Sequence, residues 1–327
     1  MPAQARPCPG NRMRIHHVTA IAGEPQRNLD FYAGLLGMRL VKLTVNYDDP
    51  GTYHFYYGDE VGRPGTLLTF FPWSGSRSGR QGTGQINGVA LAIPQGSLGY
   101  WVERLLSLGV KYEGPNRRFG EQVLAFTDHD GMMLELIATP RVAGLDGWRD
   151  GPVPAEHGIR GVHGVTIWED GDAGSADFLT GTMGYTIREE AENRIRLESG
   201  GDGLGTVVEL RRAPGFWRGT DGAGTVHHVA FRAADDAEQA ERQRKLREMG
   251  AQVTDVKDRT YFRSIYFREP GGVLFEIATD GPGFTIDESP AELGSALRLP
   301  ERFESMRQRL EVSLPPLRPP HAEAVGG

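Results

Sequence analysis

Short stretches in which apolar and polar residues alternate recur four times along the 327-residue chain. They read IHHVTAIAG from residue 15, INGVALAIP from 86, VHGVTIWED from 162 and VHHVAFRAA from 226. Alternation with a period of two is typical of a β-strand that buries one face. Each stretch therefore predicts a strand that opens one unit of the fold.

Each opening strand is followed by a stretch with helical spacing that ends at a glycine. In the first, PQRNLDFYAGLLGM, the apolar residues Leu29, Tyr32, Leu35 and Leu36 predict a helix with one inward face. The other three stretches are SLGYWVERLLSLGV, SADFLTGTMGY and DAEQAERQRKLREMGA. Glycine just beyond the last periodic residue is a common helix stop, so we predict four helices.

Each unit closes with short β-rich segments, the last of which begins at a glycine. These closing segments are GTLLTFFP from 65, GMMLELIA from 131, GTVVELRR from 205 and GVLFEIAT from 272. The order β-α-β-β-β is thus repeated four times, in what we call modules 1 to 4, with a period of about 70 residues. One such module has an apolar sheet face that it cannot bury alone, so the modules must pair.

Composition limits the class of protein. Hydrophobic residues make up 39% and charged residues 24%, as in soluble globular proteins. The net charge is −7 and no Lys/Arg-rich run occurs, so we expect neither nucleic acid nor a membrane as a partner. The first 13 residues lack the apolar core of a signal peptide and are expected to be a disordered lead-in. The single cysteine, Cys8, excludes an internal disulfide, and a cytoplasmic protein is expected.

Equivalent positions in the four modules carry different potential metal ligands. At the second residue of the His-His pair, modules 1 to 4 carry His17, Gly88, Gly164 and His228. At the fifth residue of the closing segment they carry Thr69, Glu135, Glu209 and Glu276. Only module 4 has both a histidine and a carboxylate, and only module 1 adds a second histidine in the same register.

These positions predict one metal site rather than four. An isolated His-His pair is more often a hydrogen-bonded feature of a core, but two pairs in register with a carboxylate favour a site formed by His17, His228 and Glu276. A set of two histidines and one carboxylate leaves coordination positions open and suits non-haem Fe(II) chemistry with O2. Thr69, a weak neutral donor in place of a fourth ligand, leaves room for substrate. The site requires module 1 to pair with module 4, and therefore module 2 with module 3.

Modules 2 and 3, the second pair, carry carboxylates but no histidines at these aligned positions. Gly88 and Gly164 stand where the first pair has histidines. Two carboxylates without imidazole make a poor transition-metal site, so Glu135 and Glu209 are interpreted as structural and that cavity is expected to hold no metal.

The repeated module, its opening alternation and its closing strand resemble the vicinal oxygen chelate superfamily, which includes glyoxalases, bleomycin-resistance proteins and extradiol dioxygenases. The resemblance covers about residues 13 to 280. It implies an α+β fold of four βαβββ modules in two pseudo-symmetric domains, cupped around a metal site. We expect a first domain over 13–140 (modules 1 and 2), a linker over 141–160, a second domain over 161–280 (modules 3 and 4) and a tail over 281–327. The tail is predicted to carry one helix at about 300–312 and a proline-rich disordered end.

Four longer segments are similar to the hydroquinone-type ring-cleaving dioxygenases. They are HHVTAIAG at 16, NLDFYAGLLGMRLVKLTVNYDDPGTYHFYYGD at 28, PGTLLTFFPW at 64 and DGPGFTIDESPAELGSALRLP at 280. This similarity implies aromatic degradation by O2-consuming, Fe(II)-dependent cleavage of para-dihydroxylated rings, halogenated ones included, with Mn(II) as the alternative metal. A glyoxalase-type isomerase or lyase, a catechol extradiol dioxygenase and a non-catalytic binding module are the alternatives, and homo-oligomerisation is left open.

The same resemblance implies roles for residues around the metal. Arg259 and Tyr266 match an arginine and a tyrosine that hold charge and pass a proton, and His16 and His227 match residues that orient the ligands or handle protons. Thr19 matches a pocket residue. Thr69 and His54, the latter within the aromatic run 53–57, are further candidates for the substrate pocket. The segment NYDDPG, with Asp48 and Asp49, is interpreted as a turn.

Overall fold

The computed structural model describes residues 13–171, 174–201 and 203–321. The predicted disordered lead-in over residues 1–12 lies outside these ranges. Within them, every module has the predicted order of one strand, one helix and three strands.

Modules 1 and 2 form the first half of the chain. Module 1 comprises β1 (Ile15–Ala22), α1 (Pro25–Leu29, continued by a π-helical turn over Asp30–Leu35), β2 (Arg39–Val45), β3 (Tyr53–Gly58) and β4 (Leu67–Pro72). Module 2 comprises β5 (Gln85–Pro94), a 3₁₀ turn (Gln95–Ser97), α2 (Leu98–Ser107), β6 (Tyr112–Arg118), β7 (Glu121–Thr127) and β8 (Met133–Thr139).

Modules 3 and 4 repeat this order. Module 3 comprises β9 (Gly161–Glu169), α3 (Ser175–Gly181), β10 (Thr186–Ala191), β11 (Arg194–Glu198) and β12 (Val207–Arg212). Module 4 comprises β13 (Thr225–Ala233), α4 (Asp236–Glu248), β14 (Lys257–Asp258), β15 (Arg263–Arg268) and β16 (Leu274–Thr279).

The strands form two eight-stranded curved sheets. The first sheet has the order β14-β15-β16-β13-β1-β4-β3-β2 and the second has β10-β11-β12-β9-β5-β8-β7-β6. In each sheet two modules join through their opening strands, β1 with β13 and β5 with β9, in antiparallel fashion. The prediction that module 1 pairs with module 4, and module 2 with module 3, is therefore confirmed.

The predicted helix stops are glycines whose backbone requires the left-handed region. Gly37 has φ 67° and Gly250 has φ 84°, values that favour glycine over any residue with a Cβ. A Cβ on Gly37 would also lie 2.6 Å from Cγ2 of Val153, a residue of the linker. At the N-terminal end of α4, Asp235 is the capping residue: its carboxylate accepts a hydrogen bond from the backbone N–H of Glu238 at 2.9 Å.

The apolar residues of the opening strands lie at the centre of one large core cluster. Val18, Val89, Val165 and Val229 stand at the same position of the four opening strands and are all fully or almost fully buried in it. Because side chains alternate along a strand, burying these valines on one face presents the residues next to them on the opposite, concave face of the sheet. No helix among the described residues is long and apolar enough to cross a membrane.

The linker and the tail run over the modules rather than forming a sheet. In the linker, Val153 is buried and the carbonyl of His157 accepts a hydrogen bond from Nε1 of Trp101 on α2 at 2.9 Å. Each sheet takes one module from each half of the chain. The division into sequence domains 13–140 and 161–280 consequently does not coincide with the two sheets and stays a prediction.

The tail differs from its prediction in two ways. The single helix expected at 300–312 is two short helices, α5 (Glu301–Glu304) and α6 (Arg307–Ser313). The proline-rich end, expected to be disordered, packs against module 1 as far as residue 321, because its backbone finds partners there. The N–H of Arg318 donates to Oε1 of Gln26 at 2.8 Å, and the carbonyl of Pro315 accepts from the hydroxyl of Tyr53 at 2.9 Å. The last six residues lie outside the described ranges.

Candidate metal centre

Three strands of the first sheet bring His17, His228 and Glu276 together. β1 carries His17, β13 carries His228 and the closing strand β16 carries Glu276. Nε2 of His228 lies 2.8 Å from Oε2 of Glu276, and Nε2 of His17 lies 3.4 Å from that oxygen and 3.4 Å from Nε2 of His228. All three residues are buried, with at most 4% of their surface exposed. The three side chains grouped by module alignment thus converge on one point.

Strand register explains this convergence. Thr19 on β1 is paired with His228 on β13, and Ala230 on β13 is paired with Glu276 on β16. Paired residues project to the same side of a sheet, and so do residues two apart on one strand. His17, His228 and Glu276 therefore all project from the concave face of the first sheet.

The first histidine of each pair holds the second in one orientation. Nδ1 of His16 lies 3.0 Å from Nδ1 of His17, and Nδ1 of His227 lies 2.7 Å from Nδ1 of His228. When His17 and His228 carry their proton on Nδ1 and donate it to His16 and His227, their Nε2 atoms keep a free lone pair that faces Glu276.

The pKa values of His16 and His227 agree with this arrangement. Burial, reinforced by the neighbouring charge of His17, lowers the pKa of His16 well below its usual value. Burial and the charge of His228 lower the pKa of His227 to about 4. His16 and His227 are therefore both neutral at pH 7, and each can accept a hydrogen bond on one ring nitrogen.

Glu276 is held ionised in a fully buried position. Burial by itself would raise its pKa, but interactions with the side chains of His17 and His228 lower the pKa well below its usual range. Its Oε1 accepts a hydrogen bond from the hydroxyl of Ser264 on β15. Its Oε2, by contrast, has no hydrogen-bond partner, although it lies between the two imidazoles.

The donor set fits a divalent transition metal. An unpartnered, buried carboxylate oxygen is costly unless a cation compensates it. The three ligating atoms lie 2.8–3.4 Å apart, a spacing that one metal ion with bonds of about 2.0–2.2 Å would span. Two imidazoles and one carboxylate suit Fe(II), Mn(II) or a similar metal, and the remaining face of the site is free for other ligands.

Thr69, where module 1 would place a fourth ligand, is fully buried and hydrogen-bonded. Its Oγ1 lies 2.8 Å from Oγ1 of Thr19 and 3.0 Å from Nε2 of His54. Thr19 and His54 both line the cavity beside the metal site. Burial, with a contribution from the charge of His17, lowers the pKa of His54 well below its usual value, so that this pocket residue is neutral at pH 7.

Arg259 and Tyr266 line the cavity on the side of module 4. Nε of Arg259 donates to the hydroxyl of Tyr266 at 3.2 Å, and the Tyr266 ring lies 5.7 Å from that of His228 between centroids. Burial and the charge of Glu276 raise the pKa of Tyr266, so its hydroxyl stays protonated. Burial would lower the pKa of Arg259, but Tyr266 and Asp48 raise it.

The cavity over the metal site has a volume of about 270 Å³. That is slightly below the roughly 300–1,000 Å³ of pockets for drug-sized ligands, so one substituted aromatic ring is of suitable size. Aromatic walls are provided by Tyr56, Phe71, Trp73 and Phe262. A larger groove of about 760 Å³ lies between α3 and α4, but no histidine among the described residues lines it.

Three of the residues that were not assigned to the site from the sequence contact or charge it directly: Ser264, Asp48 and Asp49. Ser264, which donates to Glu276, stands two residues before Tyr266 and so on the same strand face, a periodicity that could have identified it. Asp48 and Asp49, interpreted only as turn residues, also line the cavity. Nothing in local spacing indicates this second role, because it depends on where the turn lies in the fold.

The concave face of the second sheet carries no equivalent site among the described residues. Arg118 lies between the two aligned carboxylates: its NH1 donates to Oε1 of Glu135 at 2.8 Å, and its Nε lies 3.0 Å from Oε2 of Glu209. Only about 10 Å³ of free volume remains there. The carboxylates that lack histidine neighbours are thus compensated by guanidinium groups.

Comparison with known proteins gives concordant matches. The family model "Glyoxalase/Bleomycin resistance protein/Dioxygenase superfamily" matches residues 14–136 and 161–277. The "Putative ring-cleaving dioxygenase MhqO" of Bacillus subtilis (strain 168) is 46% identical over 304 residues, which are 93% of this chain and 96% of the relative. The "Chlorohydroquinone/hydroquinone 1,2-dioxygenase" of Sphingobium indicum is 36% identical over 90% of this chain and 94% of the relative. A crystal structure of a "putative dioxygenase" from Bacillus subtilis superposes with a TM-score of 0.91 at 45% identity, covering 95% of this chain and 99% of that chain.

Proposed function

Because the chain belongs to the Glyoxalase/Bleomycin resistance protein/Dioxygenase superfamily, we propose that it is a non-haem, extradiol-type ring-cleaving dioxygenase. Its cofactor is Fe(II), with Mn(II) as the alternative, and its substrates are O2 and hydroquinone-type aromatics, halogenated ones included. The observation that carries the proposal is the cluster of His17, His228 and Glu276, whose ligating atoms all lie within 4.8 Å of one another and leave one face open. A relative named for hydroquinone cleavage, 36% identical over most of the chain, supports the substrate class.

The open face distinguishes this proposal from a glyoxalase-type isomerase or lyase. When bound, the metal supplies Lewis-acid binding of the substrate oxygen and a path for electrons to O2. A carboxylate as fourth ligand would occupy part of that face, but the chain has Thr69 there, joined by hydrogen bonds to Thr19 and His54. Thr19 and His54 line the wall against which the substrate ring lies, and Thr69 holds both through hydrogen bonds.

Protons and charge are handled by residues on module 4. Tyr266, held protonated by burial and by Glu276, supplies a proton to a substrate oxygen as the ring opens. Arg259, already bonded to the hydroxyl of Tyr266, orients that donor and stabilises negative charge on a substrate oxygen. His16 and His227 fix the tautomers of the two metal-binding histidines.

Oxygen uptake tests the proposal directly. The protein is loaded with Fe(II) under anaerobic conditions, mixed with hydroquinone or chlorohydroquinone, and O2 consumption is followed after air is admitted. We expect stoichiometric O2 uptake and ring opening in the wild type, and loss of both in Glu276→Gln. The matched control is Glu209→Gln, which alters the aligned carboxylate of module 3 and should retain O2 uptake.

Other outcomes identify the alternatives. Full activity in Glu276→Ala would contradict the assignment of the metal site. Turnover of catechol but not hydroquinone would make the protein a catechol dioxygenase. Bound zinc without O2 consumption would favour the isomerase or lyase.

A further inference from the structure

The open end of the cavity is lined by two carboxylates. Asp48 and Asp49 lie on the turn between β2 and β3 and are exposed to solvent, whereas the metal-site residues at the other end are buried. The charged residues that line the cavity are these two aspartates, Glu276 and one cation, Arg259. A substrate therefore meets Asp49 and the Asp48–Arg259 ion pair before it reaches the metal site, and Oδ1 of Asp48 also lies 3.9 Å from Nζ of Lys257.

The turn holds both carboxylates in place. Its ends are joined by the hydrogen bond from the N–H of Asn46 to the carbonyl of Thr52 at 2.8 Å, and Oδ1 of Asn46 accepts from the N–H of Asp48 at 3.0 Å. Oδ2 of Asp49 accepts from Nε1 of Trp73 at 2.8 Å. These contacts make the aspartates fixed features of the cavity wall.

Arg259 is already committed to two partners. NH2 donates to Oδ2 of Asp48 at 2.9 Å and Nε donates to the hydroxyl of Tyr266 at 3.2 Å. Thr260, the next residue, has φ 69°, a left-handed conformation that non-glycine residues rarely adopt. The backbone here is therefore constrained beside the arginine, whose side chain is only 16% exposed.

We infer that Asp48 and Asp49 make the cavity select aromatic rings without an anionic substituent. Asp48 does so by occupying the guanidinium group that a ring carboxylate would need. A carboxylated ring would have to compete with Asp48 for Arg259 and lie beside two aspartates, whereas hydroxyl, methyl or halogen substituents meet neither obstacle. This inference rests on the proposed function, because it concerns the substrate class of the same cavity.

Binding and turnover of two related compounds test the inference. Hydroquinone is neutral, and 2,5-dihydroxybenzoate is the same ring with a carboxylate. Dissociation constants for both are measured by calorimetry on the Fe(II)-loaded protein without O2, and kcat/KM for both is measured with O2. The wild type should prefer hydroquinone in both measurements.

Asp48→Asn should shift the ratio of the two compounds toward the carboxylate by roughly 10- to 100-fold, the worth of one charge-assisted hydrogen bond to a freed Arg259. Asp49→Asn should shift it less, because Arg259 remains paired. Asp255→Asn is the matched control: it removes the same charge from a fully exposed position outside the cavity and should leave the ratio unchanged. In the Arg259→Gln background, Asp48→Asn should no longer produce the full shift.

An unchanged ratio of dissociation constants in Asp48→Asn would overturn the inference, as would an equal shift in Asp255→Asn. Absence of hydroquinone turnover in the wild type would instead refute the proposed function. In that case the dissociation constants would still decide whether Asp48 selects against the carboxylate.

Discussion

The two sheets have the same strand order but opposite solutions to one electrostatic problem. In each, closing strands place carboxylates on a concave face: Glu276 in the first sheet, Glu135 and Glu209 in the second. In the first sheet Glu276 lies among imidazoles, and about 270 Å³ of the cavity remains open. In the second, arginines pair with the carboxylates and about 10 Å³ remains. Two copies of one frame thus hold an open site and a closed ionic core.

The difference shows that the fold provides equivalent side-chain positions on both concave faces, and that a few residue differences decide whether these positions form a metal site or an ionic core. Glycines at 88 and 164 stand where the first sheet has its two metal-site imidazoles, and Arg118 brings a guanidinium into the same region. A buried carboxylate needs a compensating positive charge in either case. In the first sheet we propose that a metal ion provides it, and in the second sheet an arginine does so.

The largest effect should come from closing the open face of the first site. Thr69 is paired with Thr19 as Glu276 is paired with Ala230, so Thr69→Glu would place a second carboxylate opposite the first. We expect the variant to retain metal and to lose O2 uptake by on the order of 10³-fold, or about 4 kcal/mol of barrier, because the fourth ligand occupies the substrate face. Thr69→Val, which adds no ligand, is the control and should lose far less. Comparable activity in Thr69→Glu and the wild type would contradict the role assigned to the open face.

A smaller loss, in stability rather than activity, is expected on the other side. Arg118→Met leaves Glu135 and Glu209 without the guanidinium that joins them. Because Arg118 is one-fifth exposed, we expect the free energy of unfolding to fall by roughly 2–4 kcal/mol, toward the low end of the cost of breaking a buried ion pair. Denaturant unfolding of Arg118→Met and of Arg117→Met, an exposed neighbour, measures the difference. Equal stability of the two variants would show that the ionic core of the second sheet is dispensable.

Metal binding should distinguish the sheets by stoichiometry. We expect one Fe(II) or Mn(II) per chain, with metal at 100 times its dissociation constant stabilising the fold by about 2.7 kcal/mol. Glu276→Gln should abolish both the stoichiometric metal and the stabilisation, and Glu209→Gln should abolish neither. Elemental analysis combined with thermal unfolding measures both, and two metals per chain would contradict the contrast between the sheets.

The features of the two sheets that could be predicted from the sequence are those that depend on strand periodicity. Alternation and the module alignment predicted a site formed by His17, His228 and Glu276, and the pairing of module 1 with module 4 was inferred from that site. Contacts that depend on tertiary placement were not predictable in this way. Asp48 meets Arg259, 211 residues away, only because the turn after β2 lies above the cavity. The prediction for the proline-rich end was wrong for a similar reason. Its composition predicts disorder, but the backbone of this segment forms a hydrogen bond with the side chain of Gln26 that no local pattern indicates.

The smallest expected effect concerns acid stability at the rim of the second sheet. Burial alone would raise the pKa of Glu121, but hydrogen bonds and charges from His163 and Arg196 lower it to about 2. A carboxylate whose pKa is depressed by folding adds stability above its usual pKa, and that contribution is lost as the pH falls from about 4.5 toward 2. With solvent screening at this partly exposed site, Glu121→Gln should cost about 1 kcal/mol at pH 7 and nothing near pH 2. Unfolding free energies of the two proteins across this range should therefore converge in acid, and a gap that stays constant with pH would assign the stabilisation of Glu121 to packing rather than to its charge.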